Sequence, residues 1–307
     1  MTGASRQKPG LLETYVVWLL FVLTASAVFA TYWRLPPSEL WKVSHSGLAG
    51  GAGRAFVFVS YSAALAAVAV VAIVVDRLED RRAVLLGIAA CVLCATVAIP
   101  GVQTPSDLDA KWANLPAVLG VGIAAGLTAW AAASGRPERV RTTRAGDLAR
   151  LGAGAVALFW ATPYIAAELG FFLDGVPLLG WFFQTERLRP EPGGGYTHAA
   201  VHHGHHHGLD GFLLAATALL LSRLLGGIGR RSLRAVTAAY LSLMLVYGLA
   251  NMANDQWTEQ VVKRDWTSWE IPDVLFPTAS VAWAAIVACA VVVYLAFWRE
   301  RPLLRGR

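Results

Sequence analysis

The stretch AFVFVSYSAALAAVAVVAIVV, residues 55–75, contains no charged residue. A helix needs about 20 apolar residues to cross the ~30 Å hydrocarbon layer of a bilayer, so this stretch predicts a membrane-spanning helix. Backbone polar groups in lipid find partners only inside a helix or a closed barrel. Because the apolar run is continuous rather than alternating, and rich in Ala and Val, a helix is favoured over a barrel strand.

Similar apolar blocks recur along the whole chain, and the loops between them are too short for a soluble domain. Of the 307 residues, 56% are hydrophobic and 15% are charged, whereas soluble domains carry about 25% charged residues. We therefore predict one all-α integral membrane domain covering residues 1–307, a polytopic helix bundle of about eight spans. The predicted spans are Leu12–Tyr32, Ala55–Val75, Ala83–Ile99, Leu115–Ala133, Leu151–Phe172, Leu209–Leu225, Leu233–Ala250 and Phe276–Trp298.

The distribution of Lys and Arg predicts the orientation of these spans. Of the 26 basic residues, 18 fall at the two termini and in every second loop, and basic residues in short loops stay on the cytoplasmic side. Both termini are therefore predicted to be cytoplasmic, in a bacterial-type plasma membrane. The net charge of +6 indicates topology and contact with anionic lipid heads rather than nucleic-acid binding. The basic start and the small residues near 25–30 leave a cleaved signal as an alternative for the first span.

A dense histidine cluster, THAAVHHGHHHGLD at residues 197–210, leads into the sixth predicted span. The predicted topology puts it on the extracytoplasmic side, together with the seventh histidine, His45. If residues 196–210 form a helical lead-in, a turn of 100° per residue produces two neighbouring ligand faces. One face carries His198, His202, His205 and His206, and the other carries His203, His207 and Asp210.

This pattern is typical of a transition-metal site, because neutral imidazole is the commonest metal ligand near physiological pH. Imidazole with carboxylate suits Zn²⁺, our first choice, and then iron, Ni²⁺ or Mn²⁺. The three Cys lie inside predicted spans and Met is scarce, which argues against a Cu(I) relay. A solvated histidine collar and a pH sensor remain as alternatives. The predicted ligands are His198, His202, His203, His205, His206, His207, Asp210 and Glu168.

Glu168 is included because it lies near the outer end of the fifth span, shortly after Pro163. An ionisable group in apolar surroundings usually faces a cavity or a partner. We expect a ligand or proton acceptor there, or an acid that merely reaches water. Asn251, Asn254 and Asp255 follow the seventh predicted span and approach the same place or terminate the helix.

Three other segments bear on the site. The glycine-rich residues 44–54 lead into the second span and either cradle a lipid phosphate or pack closely against a helix. Residues 173–183 are predicted to lie in the membrane interface, and Trp257–Trp269 to form an amphipathic surface helix. Together the last two segments would roof the histidine cluster.

Three functions are compatible with these features. The first is the binding or handling of a divalent transition metal through the outward-facing histidines. The second is a metal-dependent membrane enzyme acting on a lipid or lipid-linked substrate, with Glu168 as the base. The third is a structural or assembly subunit with pH-sensing histidines. The lipid bilayer and a metal ion are the predicted partners; substrate, oligomeric state and protein partners do not follow from the sequence.

Overall fold

The computed structural model of the chain describes residues 8–40, 43–99, 101–102, 108–134, 138–139, 146–190 and 197–299. Eight helices in this part are long and apolar enough to cross a membrane, which confirms the predicted all-α polytopic bundle. They are α1 (Leu12–Arg34), α2 (Gly47–Leu78), α3 (Arg81–Ala98), α4 (Trp112–Ala133), α5 (Asp147–Glu168), α6 (His207–Gly227), α7 (Arg231–Arg264) and α8 (Val281–Trp298).

Helices α2 and α7 extend furthest beyond the predicted spans. Helix α2 begins at Gly47 rather than Ala55, and it passes through a π-helical turn at Val59–Ala63. Helix α7 continues beyond Ala250: its α-helical part is Arg231–Gln260, followed by a 3₁₀ turn at Val262–Arg264. Hydropathy underestimates the length of both helices, because the apolar run ends at the first polar residues. The helix itself continues past those residues where their side chains find buried partners.

Helices α2 and α6 form the centre of the bundle, and the other spans surround them. The apolar windows of α2 and α6 are 72% and 78% buried, against 11% for α8. Small residues allow close approach between α6 and α7. A Cβ atom on Gly211 would lie 2.5 Å from the Gly248 carbonyl oxygen, and one on Gly248 would lie 2.6 Å from the Gly211 carbonyl oxygen. Such contacts are a main source of association between helices in lipid.

The loops contain only short regular elements. A 3₁₀ turn covers Pro37–Glu39, and a single-turn helix covers Leu179–Phe182. Strand β1 (Lys8–Pro9) pairs in parallel with β2 (Glu138–Arg139). Strand β3 (Leu188–Pro190) pairs antiparallel with β4 (Thr197–Ala199), so that Arg189 lies opposite His198. The β3–β4 pair fixes the first residues of the histidine cluster, just before His202.

The alternating spans give the bundle two different ends. The histidine end holds the last turns of α1, α3, α5 and α7 and the first turns of α2, α4, α6 and α8. The arginine end is the opposite one, where Arg77, Arg150 and Arg223 lie. Several of the basic residues predicted to be cytoplasmic fall outside the described residues: Arg6, Arg136, Arg141, Arg144, Arg301, Arg305 and Arg307. The side of the membrane that each end faces stays a prediction.

Two predicted local structures are wrong. The helical lead-in predicted over 196–210 is absent from its described part, 197–210, because Thr197–Ala199 is a strand and helix α6 begins only at His207. The segment Trp257–Trp269 is not a separate surface helix, since Trp257 belongs to α7. The indole N–H of Trp257 donates to the carbonyl oxygen of Trp269, 2.7 Å away, which folds the chain back onto the helix.

The glycine-rich stretch before the second span is helical rather than a loop. Gly50 and Gly51 lie inside α2 and face the backbone of α1 near Tyr32 and Phe29. Close helix packing, one of the two predicted roles, is therefore confirmed. The same register carries Arg54 into the core, where the side chain is 2% exposed.

Candidate metal centre

The histidine loop, His202–His207, runs from the β3–β4 pair into α6 and is held close to the bundle by two glycines. Gly204 has a φ of +77°, a conformation that glycine adopts without strain. A Cβ atom there would collide with the Tyr32 hydroxyl, and one on Gly208 would collide with the Tyr164 ring. The loop therefore packs against α1 and α5 with no room for larger residues.

Three ligand-type side chains converge where this loop meets α7. His205 and His207 each offer a ring nitrogen and Asp255 offers a carboxylate oxygen, and these three atoms lie within 4.8 Å of one another. His205 Nε2 is 3.0 Å from Asp255 Oδ1. Neighbouring ligands of a tetrahedral Zn²⁺ with bonds of 2.0–2.1 Å lie about 3.3 Å apart. Small side-chain movements would thus bring the three groups into a common coordination shell.

Backbone and side-chain contacts hold this trio from several directions. The Gly208 backbone N–H donates to Asp255 Oδ2 at 2.6 Å, and the Asn251 side chain donates to the His207 carbonyl oxygen at 3.4 Å. The Tyr164 ring of α5 lies 5.2 Å from the His205 ring. His207 Nε2 is buried and has no hydrogen-bond partner among the described residues. A buried nitrogen of this kind calls for a ligand or a water.

Two further histidines border the trio without joining it. The His202 ring lies 4.6 Å from the His205 ring, and the His206 ring lies 4.4 Å from the His207 ring. His206 Nε2 is 4.0 Å from Asp210 Oδ2. These two imidazoles are the nearest further histidines to the trio on either side.

The remaining predicted ligands are placed differently. His203 stacks on Phe172, with ring centroids 4.3 Å apart. The backbone of His198 lies in β4, but its side chain is outside the described part of the structure. Glu168 is 1% exposed and faces Arg54, whose Nη2 atom lies 3.7 Å from Glu168 Oε1. The carboxylate of Glu168 is thus engaged by a buried cation of α2 rather than by the trio.

Burial keeps two of the loop histidines neutral. It lowers the pKa of His206 well below 6.5, and the positive charge of Arg54 lowers it further. Burial also lowers the pKa of His203, partly offset by the negative charge of Glu39. An imidazole that stays neutral at pH 7 is available as a metal ligand but does not titrate in the physiological range.

Asp255 is the site residue that sequence reasoning underestimated. Asn251, Asn254 and Asp255 were expected either to approach the cluster or to end the helix, and the helix instead continues past them. Asn251 and Asp255 face the histidine loop, whereas Asn254 donates to the carbonyl oxygen of Pro272, 2.9 Å away. The spacing of four residues between Asn251 and Asp255 is the signal that would have separated these roles.

The two segments predicted to roof the cluster are joined to each other. Two hydrogen bonds join Gln184 and Gln260. The backbone N–H of Gln184 donates to Gln260 Oε1 at 2.7 Å, and Gln260 Nε2 donates to the carbonyl oxygen of Gln184 at 2.8 Å. Arg264 donates to the carbonyl oxygen of Phe182 at 2.8 Å. Lys263 donates to the carbonyl oxygen of Ala200 at 3.3 Å. These bonds tie the end of α7 to the segment after α5 and to the residues just before the histidine loop.

Comparisons with known proteins give no match. No family model fits the chain, and no curated protein or solved structure is significantly similar to it. The chain has the helices of an integral membrane protein and a largely buried cluster of His205, His207 and Asp255 that could hold a metal ion. Any more specific function rests on the chemistry of that cluster.

Proposed function

We propose that this membrane protein binds a divalent transition metal through His205, His207 and Asp255. The observation that carries the proposal is the convergence of two imidazoles and one carboxylate within 4.8 Å. The unpartnered, buried Nε2 atom of His207 supports it. Asn251, Gly208 and Tyr164 would act as outer partners that orient the ligands.

The donor set limits the metal. Two nitrogen atoms and one carboxylate suit Zn²⁺, iron, Ni²⁺ or Mn²⁺. Cu(I) prefers sulfur ligands, and the three proposed ligands include none. Zn²⁺ remains our first choice because it accepts imidazole and carboxylate in tetrahedral sites. His202 or His206 would complete a closed site of four protein ligands, as expected for metal storage or handling.

A metal-dependent enzyme is the second candidate, and the number of ligands favours it. Three protein ligands with one open position are typical of catalytic zinc, which activates a bound water. In that case the substrate would be a lipid or lipid-linked molecule that reaches the histidine end from the bilayer. Glu168 is a poor candidate for the base, because Arg54 holds its carboxylate.

A pH-sensing subunit receives less support. The lowered pKa values of His203 and His206 move their titration below neutral pH, and a sensor requires groups that change charge near pH 6 to 7.

We further propose that the histidine end is extracytoplasmic, as the basic residues indicate. Labelling of an exposed His45→Cys variant by an impermeant maleimide in intact cells tests this orientation.

The direct test is elemental analysis of protein purified without a polyhistidine tag. We expect about one equivalent of a transition metal per chain, lost in His207→Ala. The matched control is His45→Ala, since His45 is exposed and lies outside the loop. Equal metal content in wild type and His207→Ala would overturn the proposed site.

A further inference from the structure

One face of α7 carries a line of polar residues that leads to the candidate metal centre. Asn251, Asp255, Glu259 and Lys263 follow one another at intervals of four, so each is a neighbour of the next on the surface of the helix and of the turn that ends it. The relative exposure is 1% for Asn251, 5% for Asp255 and 4% for Glu259. The Lys263 side chain is 23% exposed and so reaches the surface. A path of charged groups therefore connects the surface with Asp255.

The ammonium group of Lys263 occupies a cation position on this path. Its Nζ atom lies 2.9 Å from Glu259 Oε1 and 2.7 Å from Glu259 Oε2. It also donates to the carbonyl oxygen of Ala200, 3.3 Å away. Carboxylate and carbonyl oxygens are also ligands of hydrated divalent cations. The position lies about one helical turn, roughly 6 Å of axial rise, from Asp255.

Charge explains why this position needs a cation. Glu259 and Asp255 are acids four residues apart on one face, and like charges at this spacing repel each other. Both carboxyl groups are buried, which raises the cost of leaving them unpaired. Lys263 compensates Glu259, and a divalent ion at the centre would compensate Asp255. The flexible, partly exposed side chain of Lys263 is able to move into solvent when another cation arrives.

We propose that the Glu259 carboxylate and the Ala200 carbonyl form a transit site for the divalent cation, and that the Lys263 ammonium is its gate. The cation would displace the ammonium, rest on Glu259 and pass one turn along α7 to His205, His207 and Asp255. This inference rests on the proposed function. It adds a route and a kinetic role for residues that are not ligands of the centre.

Stopped-flow mixing with Co²⁺ tests the gate, using tag-free, metal-free protein in detergent micelles. The visible absorption of Co²⁺ changes when protein ligands replace water, so the trace reports the rate of uptake. We expect Lys263→Gln to take up Co²⁺ about tenfold faster, and Glu259→Gln about tenfold more slowly. In the double variant the rate should equal that of Glu259→Gln alone, because the gate acts through Glu259.

The control separates the gate from a general change of surface charge. Arg187→Gln removes a cation from an exposed ion pair at the same end, where Arg187 Nη2 lies 2.9 Å from Asp265 Oδ2. This variant should change the uptake rate less than about twofold, because exposed charges are screened. Glu259→Asp is the second variant if Glu259→Gln does not fold, and it should also slow uptake.

The possible failures are distinguishable. Additive effects of Lys263→Gln and Glu259→Gln on the uptake rate would overturn the transit site, and so would an unchanged rate in Lys263→Gln. If the protein still binds Co²⁺ at equilibrium, the proposed metal centre stands in either case. Absence of Co²⁺ binding by the wild-type protein in an equilibrium titration would overturn the centre itself, and the transit site with it.

Discussion

The two ends of the bundle use charged residues in different ways. At the arginine end, Arg223 bridges two helices, with Nη1 3.1 Å from Glu13 Oε1 and Nε 3.2 Å from Asp147 Oδ1. At the histidine end, Asp255 meets His205 and His207, which are uncharged unless protonated. The first arrangement neutralises its own charges, whereas the second places one carboxylate beside two imidazoles. The arginine end thus holds helices together, and the histidine end carries the cation-binding role proposed above.

The largest expected effect breaks the histidine end. Asp255→Asn removes the negative ligand and should weaken Zn²⁺ binding by more than about 100-fold, because loss of even an outer partner costs 10- to 100-fold. Competition titration with a zinc-sensitive dye measures the Kd. The control is Asp265→Asn, which changes an exposed acid at the same end. An unchanged Kd in Asp255→Asn would remove the distinction between the two ends.

The next effect breaks the arginine end. Arg223→Gln leaves the buried acid Glu13 without its cation, and we expect the free energy of unfolding to fall by about 1–3 kcal/mol. The Kd for Zn²⁺ should remain unchanged, because the site lies at the opposite end of the bundle. Unfolding in mixed micelles and the dye titration give the two values. A large loss of Zn²⁺ affinity in this variant would show that the ends are coupled.

A smaller effect concerns pH. The pKa of His206 is lowered in the folded protein, so below pH 6.5 the unfolded chain binds a proton that the folded chain does not. Stability contributed by the neutral imidazole is therefore full above pH 6.5 and falls with decreasing pH, by up to about 1.4 kcal/mol per pH unit. In metal-free protein, His206→Gln should show a shallower decrease of the melting temperature between pH 7.5 and pH 5.5. Identical pH profiles would contradict this assignment.

The smallest effect sharpens the comparison within the histidine loop. His203 stacks on Phe172 and lies outside the trio, so His203→Gln should change the Kd for Zn²⁺ less than about twofold while it weakens the stacking contact. The same dye titration measures it beside His207→Ala. A loss as large as that of His207→Ala would mean that His203 is a ligand.

Much of the fold follows from local features of the chain. Residues 55–75 and the seven other apolar blocks each correspond to a span, because the requirement for internal backbone hydrogen bonding in lipid leaves few alternatives. The limits of α2 and α7 were less predictable. Their extra turns contain Arg54 and Asp255, buried charged residues whose partners, Glu168 and His205, lie in other elements.

The site was predictable in composition but not in geometry. The sequence by itself determined the membrane-spanning architecture and the presence of an imidazole-rich segment, because both depend on residue type over short stretches. Only the tertiary structure decided that His205 and His207 meet Asp255, that Glu168 faces Arg54, and that His203 turns to Phe172. These pairings join residues far apart in the chain, which no local pattern encodes. The meeting of the two histidines with Asp255 follows the close approach of α6 and α7 at Gly211 and Gly248.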